Sequence, residues 1–495
     1  MQDLTRRRLL ELAGTTAAGA VLFPTVDALA RVGSNRFMST KQLAKWQREL
    51  DKMGLRATGS AVQEHYVDLL HDRLERAGVK QLHFESVPHN RWLADSWSLS
   101  VTSGPNTGSV PTASYMPYSG GTASNGVTAP LVHLDAAPAP GSLTGKIALY
   151  ELPVSTLTLG SFAAITYKAY DPRGQLKPDV PYQRSWTSIS TLIPMLDALV
   201  KSGAVGVVVV LDLPADAAAG AYYPYDGTIR PVPGVYVDRS NGAKLKQVAA
   251  ASGSVKLVLR SETKQVKTRN LIGLIPGASS ELMILHSHTD GTNGIEDNGP
   301  NAIVAMSQYL SGLPRRSLPR SILVLLTTGH FAGGAGVEAF VERHKKNTLR
   351  RVAGALTLEH LGALEWLPQG DSSRLTGQYE VGTIFTPETT PLVNGSYNAL
   401  KRAKAAPSSV LKPFIAAAGS PDGNGWPAEG TQLWTMGAIP TANFITGPTY
   451  LLNWGPSTMD KFDVGLMRRQ AIAFTEALLA LSRVPRAKLR KLDLR

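Results

Sequence analysis

His286-Ser287-His288-Thr289-Asp290-Gly291-Thr292-Asn293-Gly294-Ile295-Glu296-Asp297 sets two histidines and three carboxylates within twelve residues. Imidazoles and carboxylates are common ligands of divalent metals, so the stretch has the composition of half a metal centre. It follows the apolar run LMIL at 282–285, and Asn298-Gly299-Pro300 after it opens a segment with Ala302, Ile303, Met306 and Leu310 on one helical face. That order predicts strand, loop and helix. Asn298 is the expected N-cap and Pro300 suits a first turn, which holds Asp297 at a helix entrance above a strand's end. In open α/β sheets ligands bind at that place.

Working outward, 495 residues at ~100–200 per domain predict two or three domains. A hydrophobic fraction of 43% and a charged fraction of 18% exclude a disordered or fibrous chain. The net charge of +13 points to an anionic envelope surface or to simple solubility. Nucleic acid is not expected, because the Lys and Arg are scattered apart from pairs such as Arg315-Arg316 and the basic tail 486–495. The N-terminus reads TRRRLL at 5–10, then an Ala/Gly/Leu-rich stretch, then ALA at 28–30, and residues 1–30 resemble a twin-arginine export signal. Export to an extracellular, periplasmic or wall-associated location is therefore expected. No other stretch approaches the ~18 apolar residues of a membrane span. Cysteine is absent, so any metal must be held by His and carboxylates.

The pattern is helical from residue 40 to 78, broken by LRATGS at 55–60, and strand-like at 82–87. His65, His71, His83 and His89 in this region read as surface or helix-face residues. Between 103 and 128 the composition shifts to Ser, Thr, Gly and Pro without periodicity, which marks a boundary. GKIALY at 145–150, GAVGVVVV at 203–210 and VPGVYV at 232–237 follow. The α/β pattern resumes with NLIGLIPG at 270–277 and strands at 282–285, 322–326, 355–358 and 443–445, with helices at 336–345 and 464–481. Polar residues follow three of those strands: His286 and His288 the first, His330 the second, Glu359 and His360 the third. Ligand-type residues at three strand ends converge in space.

These motifs resemble the di-zinc exopeptidase superfamily that contains bacterial aminopeptidases, glutamate carboxypeptidase and the transferrin receptor. The resemblance runs from about residue 38 to 481 and includes STMDKFD at 457–463. It implies an α/β fold with a mixed central sheet and flanking helices. It further implies a discontinuous peptidase-like domain at 31–110 and 265–485, and a β-rich protease-associated domain at 111–264 that shapes a neighbouring site.

In that superfamily the His of His288-Thr289-Asp290 binds zinc and the Asp orients it, while the Asp of Asp297-Asn298 bridges two metals. A Thr-Gly-Glu-Glu motif then supplies the general base and a ligand of the second zinc. Here it reads Thr328-Gly329-His330-Phe331, so His330 takes the base position and Phe331 cannot coordinate. The next ligand aligns with Glu359 and the last with Asn453, a poor zinc ligand. The resemblance thus implies one zinc per chain or none, held by His288, Asp297 and Glu359, with His330 as general base or fourth ligand and Asp290 orienting. The expected function is hydrolysis of a peptide or amide bond. A catalytically inactive binding protein and acyl transfer of the glutaminyl cyclase type stand as alternatives. His286 and His360 read as strand-end residues or as parts of a histidine acid/base site. Trp426, Trp434, Trp454, Tyr450 and Phe444 read as pocket lining or core, and Tyr225, Asp226 and Arg230 as residues that could face the cleft.

Overall fold

Ser39 and Ser60 accept hydrogen bonds from the backbone N–H groups of Gln42 and Gln63, and so start helices α1 (Thr40–Lys52) and α2 (Ala61–Arg76). The chain continues through β1 (Lys80–Ser103), β2 (Val127–Leu134), β3 (Ile147–Leu152), β4 (Thr166–Tyr170), α3 (Ile189–Ser202), β5 (Gly206–Leu211), β6 (Gly234–Val237), α4 (Arg239–Ala250) and β7 (Ser254–Ile275). The C-terminal half runs β8 (Ser279–His288), α5 (Gly299–Ser311), β9 (Arg320–Thr327), α6 (Ala335–His344), β10 (Val352–Leu358), β11 (Gly382–Phe385), α7 (Thr390–Ala403), β12 (Ser408–Leu411), β13 (Thr441–Thr446) and α8 (Val464–Leu481). This computed structural model describes residues 32–153 and 155–494, and the arginine-led segment 1–30 lies outside them.

The fold is α/β, with a 15-stranded mixed sheet. At its centre β8 lies between β9 and β10, parallel to both, and β13 continues in parallel beside β10. Antiparallel neighbours β7 and β11 flank this group. Parallel strands covered on both faces carry continuous apolar runs, and β9 and β10 are buried at every position. Helices α1, α2, α5, α7 and α8 cover one face and α6 the other. In α5, Ala302, Ile303, Met306 and Leu310 are fully buried, and each of the larger three contributes about 1.5–3 kcal/mol relative to exposure.

Asn298 does not cap α5 through its side chain. Its Nδ2 donates to Leu361 O and its Oδ1 accepts from Leu361 N, both at 2.8 Å, so the amide staples the helix entrance to the chain after β10. Pro300 removes one of the helix-start donors that a cap would have satisfied.

Strands β2, β3, β5 and β6 form a parallel group, with α3 packed on one face and α4 on the other. This group joins the rest through the long antiparallel ribbon β1–β7. The expected boundary at 264 falls inside β7, whose polar segment 261–267 offers no local sign of continuous pairing. Strand β4 leaves the 111–264 region and pairs with β12 at the far edge of the sheet. The segment therefore meets the rest of the sheet both at the ribbon and at this far edge.

Candidate metal centre

Strand β8 ends at His288, and the loop that follows returns Glu296 beside it. Glu359 and His360 follow β10, His330 follows β9, and Glu429 arrives from the chain before β13. Gly291 permits the loop to close, since a Cβ there would lie 2.5 Å from Glu296 Oε2 and 2.7 Å from Asp297 Cγ. His360 has φ +55°, a left-handed conformation that costs a non-glycine residue about 1–3 kcal/mol and is tolerated where the surroundings enforce it.

The tautomers are set by backbone carbonyls. His288 Nδ1 donates to Asp290 O at 2.8 Å, and His360 Nδ1 donates to Thr446 O at 2.6 Å. Both Nε2 lone pairs are thereby directed inward, the arrangement that metal-binding histidines adopt. Glu359 Oε1 accepts from Asn443 Nδ2 at 2.8 Å, which leaves Oε2 facing the same space. His288 Nε2, His360 Nε2, Glu359 Oε2 and both Glu296 oxygens are buried without a hydrogen-bond partner. An unsatisfied buried polar group costs about 1–3 kcal/mol, and more when charged. The two imidazole nitrogens, Glu359 Oε2 and the Glu296 carboxylate together form a cradle for a cation.

The spacing suits a metal ion. Glu296 Oε1 lies 3.9 Å from His288 Nε2 and 3.6 Å from His360 Nε2, while Glu359 Oε2 lies 3.6 Å and 3.8 Å from the same two nitrogens. Tetrahedral ligands about 2.0–2.2 Å from zinc stand roughly 3.3–3.6 Å apart, so a small inward movement closes the set. The triads His288/Glu296/His360 and His288/Glu359/His330 each bring three ligand atoms within 4.8 Å of one another.

Electrostatics follow from burial and from these contacts. Burial pushes Glu296 up to about 8, against the opposing pull of His288 and His330. Burial also opposes charge on Glu359, but the adjacent His288, with His360 and His330, holds it down at about 2. His288 is raised well above the ordinary range, because Glu296 and Glu359 outweigh its desolvation. Burial lowers His360 to about 4. A divalent cation would replace the protons that these groups share.

His330 stands beside the cradle rather than wholly within it. Its ring stacks on His288 with centroids 4.2 Å apart, its Nε2 lies 3.6 Å from Glu296 Oε1, and its Nδ1 donates to Glu429 Oε2 at 2.8 Å. Glu429 Oε1 accepts from Thr327 Oγ1 at 2.8 Å, and that hydroxyl in turn meets His286 Nε2 at 3.0 Å. His286 Nδ1 meets Thr357 Oγ1 at 3.0 Å. Burial drives His286 down to about 3. It is a fully bonded residue between β9 and β10 and does not enter the cradle. Asp290 anchors the His330 loop with its carboxylate, accepting from His330 N at 3.2 Å, Phe331 N at 2.9 Å and Thr58 Oγ1 at 2.6 Å.

Solved structures share this architecture. A Peptidase M28 precursor from Shewanella amazonensis matches with a TM-score of 0.64 at 16% identity, over 90% of this chain and 96% of its own. A zinc aminopeptidase from Bacillus subtilis matches at 0.61 and 15% identity, over 89% and 94%. An aminopeptidase from an Aneurinibacillus species matches at 0.57 and 14% identity, over 91% and 94%. The fold is that of a zinc aminopeptidase. No family model matches the sequence, and no curated protein matches it.

Of the expected site residues, His288, His330 and Glu359 come together and Asp290 supports them. Asp297 does not join them. Its two carboxylate oxygens accept from Arg56, Oδ2 from Nε at 2.7 Å and Oδ1 from a terminal guanidinium nitrogen, with both side chains fully buried. Glu296, one residue earlier, supplies the inward-facing carboxylate instead, and His360 joins it. Both were visible in the sequence as ligand types; nothing local distinguished Glu296 from Asp297. Glu429 lies in an irregular WPAEG segment, 99 residues from His330, and carried no signal.

The two non-coordinating positions have another use. Phe331 is buried among residues of the β2–β6 group, with Tyr222 and Tyr225 rings 5.7 Å and 5.0 Å away. Asn453 Nδ2 donates to Ala217 O and Ala219 O, at 2.8 and 2.7 Å. Both tie the segment 111–264 to the site-bearing half. Tyr225 also faces His330, ring centroids 5.5 Å apart. Burial, followed by Glu296, Glu359 and Glu429, pushes its phenol upward, so it stays protonated. Arg230 instead pairs with Asp226 and Asp197, both at 2.9 Å. Trp426, Trp434, Tyr450 and Phe444 are buried core residues, and Trp454 packs on Trp97 and Tyr115.

Proposed function

We propose that this chain is a peptidase-like hydrolase that cleaves a peptide or amide bond with a single zinc ion. The observation that carries the reading is the convergence of the unpartnered Nε2 atoms of His288 and His360 with the free carboxylate oxygens of Glu296 and Glu359. These four residues would hold the ion. Zinc, when bound, polarises a carbonyl oxygen and lowers the pKa of water.

His330 carries the proton in this reading. Its Nε2 takes a proton from the attacking water and delivers it to the departing amine nitrogen, the ordinary duty of a positioned imidazole. Glu429 holds its Nδ1–H at 2.8 Å, fixing the tautomer and favouring the imidazolium. Asp290 keeps the His330 backbone in place through its two backbone hydrogen bonds. Tyr225, brought by the inserted segment, walls the site beside His330 and offers a protonated phenol to substrate. We read that segment as a protease-associated module, from the order of its strand motifs. Export by the twin-arginine route belongs to the same reading and rests on residues 1–30 alone.

The test combines metal content with turnover. Protein purified without chelator is assayed on a panel of aminoacyl and peptidyl anilides, with zinc measured by elemental analysis. The expected result is about one zinc per chain, turnover in the unmodified protein, and loss of turnover with retained zinc in His330→Ala. A zinc content near zero after supplementation overturns the reading.

A further inference from the structure

The amino ends of β8, β9 and β10 carry a second concentration of charge, at the sheet edge opposite the metal cradle. Arg315 and Arg316 precede β9, Arg350 and Arg351 precede β10, and Arg483 and Arg486 follow α8. Hydrogen bonds fix their proximity. Arg315 Nε donates to Gly277 O at 2.7 Å and Arg351 Nε to Ser280 O at 2.9 Å, on either side of the start of β8. Arg320, at the start of β9, donates to Ser482 O and Val484 O at 2.8 Å each, which brings the chain after α8 to the same edge.

Among the described residues none of the six arginines forms an ion pair with a carboxylate. Five are exposed and Arg486 is half-buried. Glu281, at the same edge, is taken by Arg320 at 2.8 Å. Like charges gathered without counter-charges repel one another, and this arrangement returns little to the fold: Arg316, Arg350 and Arg486 make no side-chain hydrogen bond among the described residues. Two exposed apolar side chains accompany the cluster. Met436 and Leu494 are each 40% exposed, and Arg490, which donates to Val352 O at the start of β10 at 3.0 Å and to Ala438 O at 3.2 Å, brings both their segments to this edge.

We propose that this edge docks the protein on an anionic phospholipid surface. Guanidinium groups bind phosphodiesters in paired hydrogen bonds, and basic residues mixed with exposed aliphatic side chains are the pattern of interfacial attachment. The arginines are spread along the ends of adjacent strands and the chain after α8, as contact with an extended surface requires. The exposed aromatic rings Phe84 and Phe414 lie on other elements, so a stacking platform for nucleic-acid bases is absent from this edge among the described residues. Strand β8, ten residues long, separates the edge from the cradle by about 30 Å. Docking at this edge therefore makes no contact with the cradle residues.

Sedimentation of the full chain with lipid vesicles tests this. The probes are phosphatidylcholine vesicles with and without phosphatidylglycerol, at low and physiological salt. One variant is Arg316→Glu/Arg350→Glu/Arg486→Glu, three positions without side-chain hydrogen bonds, so folding is retained. Its control is Lys201→Glu/Lys244→Glu/Lys267→Glu, the same change in net charge elsewhere. The protein is expected to sediment with phosphatidylglycerol vesicles and not with phosphatidylcholine alone. The arginine variant should lose partitioning by about tenfold or more, while the control stays within about twofold. Equal loss in both variants would reduce the effect to net charge and overturn the proposal. So would absence of vesicle binding, with or without retention of DNA or heparin.

Discussion

Arg56 takes both carboxylate oxygens of Asp297, and neither side chain reaches solvent. An ion pair between residues 241 apart thus turns Asp297 away from the cradle and leaves its neighbour Glu296 as the loop carboxylate that faces it.

Breaking that pair should cost stability rather than metal. Asp297→Asn leaves the buried guanidinium without its charge partner, a loss of about 3–5 kcal/mol. Glu296→Gln instead removes a buried acid that has no hydrogen-bond partner, so metal-free stability should hold or rise while zinc binding falls. Urea denaturation and metal analysis on both variants separate the two roles. The assignment is wrong if Asp297→Asn folds normally and loses zinc.

Zinc should stabilise the chain through the four-residue cradle. At a free concentration a hundredfold above Kd the gain is about 2.7 kcal/mol. His360→Ala should abolish most of the thermal shift, and His286→Ala should leave it in place while lowering stability through lost hydrogen bonds to Thr327 and Thr357. A shift that survives His360→Ala would assign the ion to a different set.

Stability of the metal-free protein should fall as pH rises from about 6.5 to 8. Glu296 holds its proton up to about 8 in the fold, whereas an unfolded glutamate releases it near 4.3. The raised His288 acts in the same direction. His286 and His360, depressed to about 3 and about 4, oppose the trend only below about 6.5, where the unfolded imidazole titrates. Each proton bound only in the fold contributes up to about 1.4 kcal/mol per pH unit. Bound zinc displaces these protons and should flatten the profile, and zinc affinity should rise with pH over the same window. Denaturation curves with and without zinc measure both slopes; matching slopes would contradict the cradle.

Phe331→Ala should destabilise by about 3–5 kcal/mol, as other buried aromatic truncations do. The ring lies among residues of the segment 111–264, so the loss should appear as increased proteolysis or hydrogen exchange at that contact, with zinc content kept. Phe331→Glu would bury an unpaired carboxylate in an apolar core and should fold worse still. Recovery of a second bound metal in Phe331→Glu would mean that the ring only fills a vacant ligand position.

Much of the architecture was legible in the chain itself. The apolar runs at 282–285, 322–326 and 355–358 are parallel core strands because burial on both faces demands uninterrupted hydrophobicity, and the histidines and Glu359 stand at their carboxyl ends as that pattern requires. Helix α8 occupies the expected residues 464–481 because its apolar periodicity and the Asp463 cap agree. The long ribbon β1–β7 was hidden, since its polar middle pairs through backbone bonds that leave no apolar alternation.

Sequence alone thus indicated the α/β class, the central parallel strands and the ligand-type residues at their ends, because periodicity and burial are local properties. Tertiary structure decided which of two adjacent acids faces the cradle, that Glu429 orients His330, and that Phe331 and Asn453 pack against the segment 111–264. Those choices depend on partners distant in sequence: Arg56 draws Asp297 away, and an irregular loop delivers Glu429. Side-chain direction in such loops is set by long-range pairing, which no short window of residues encodes.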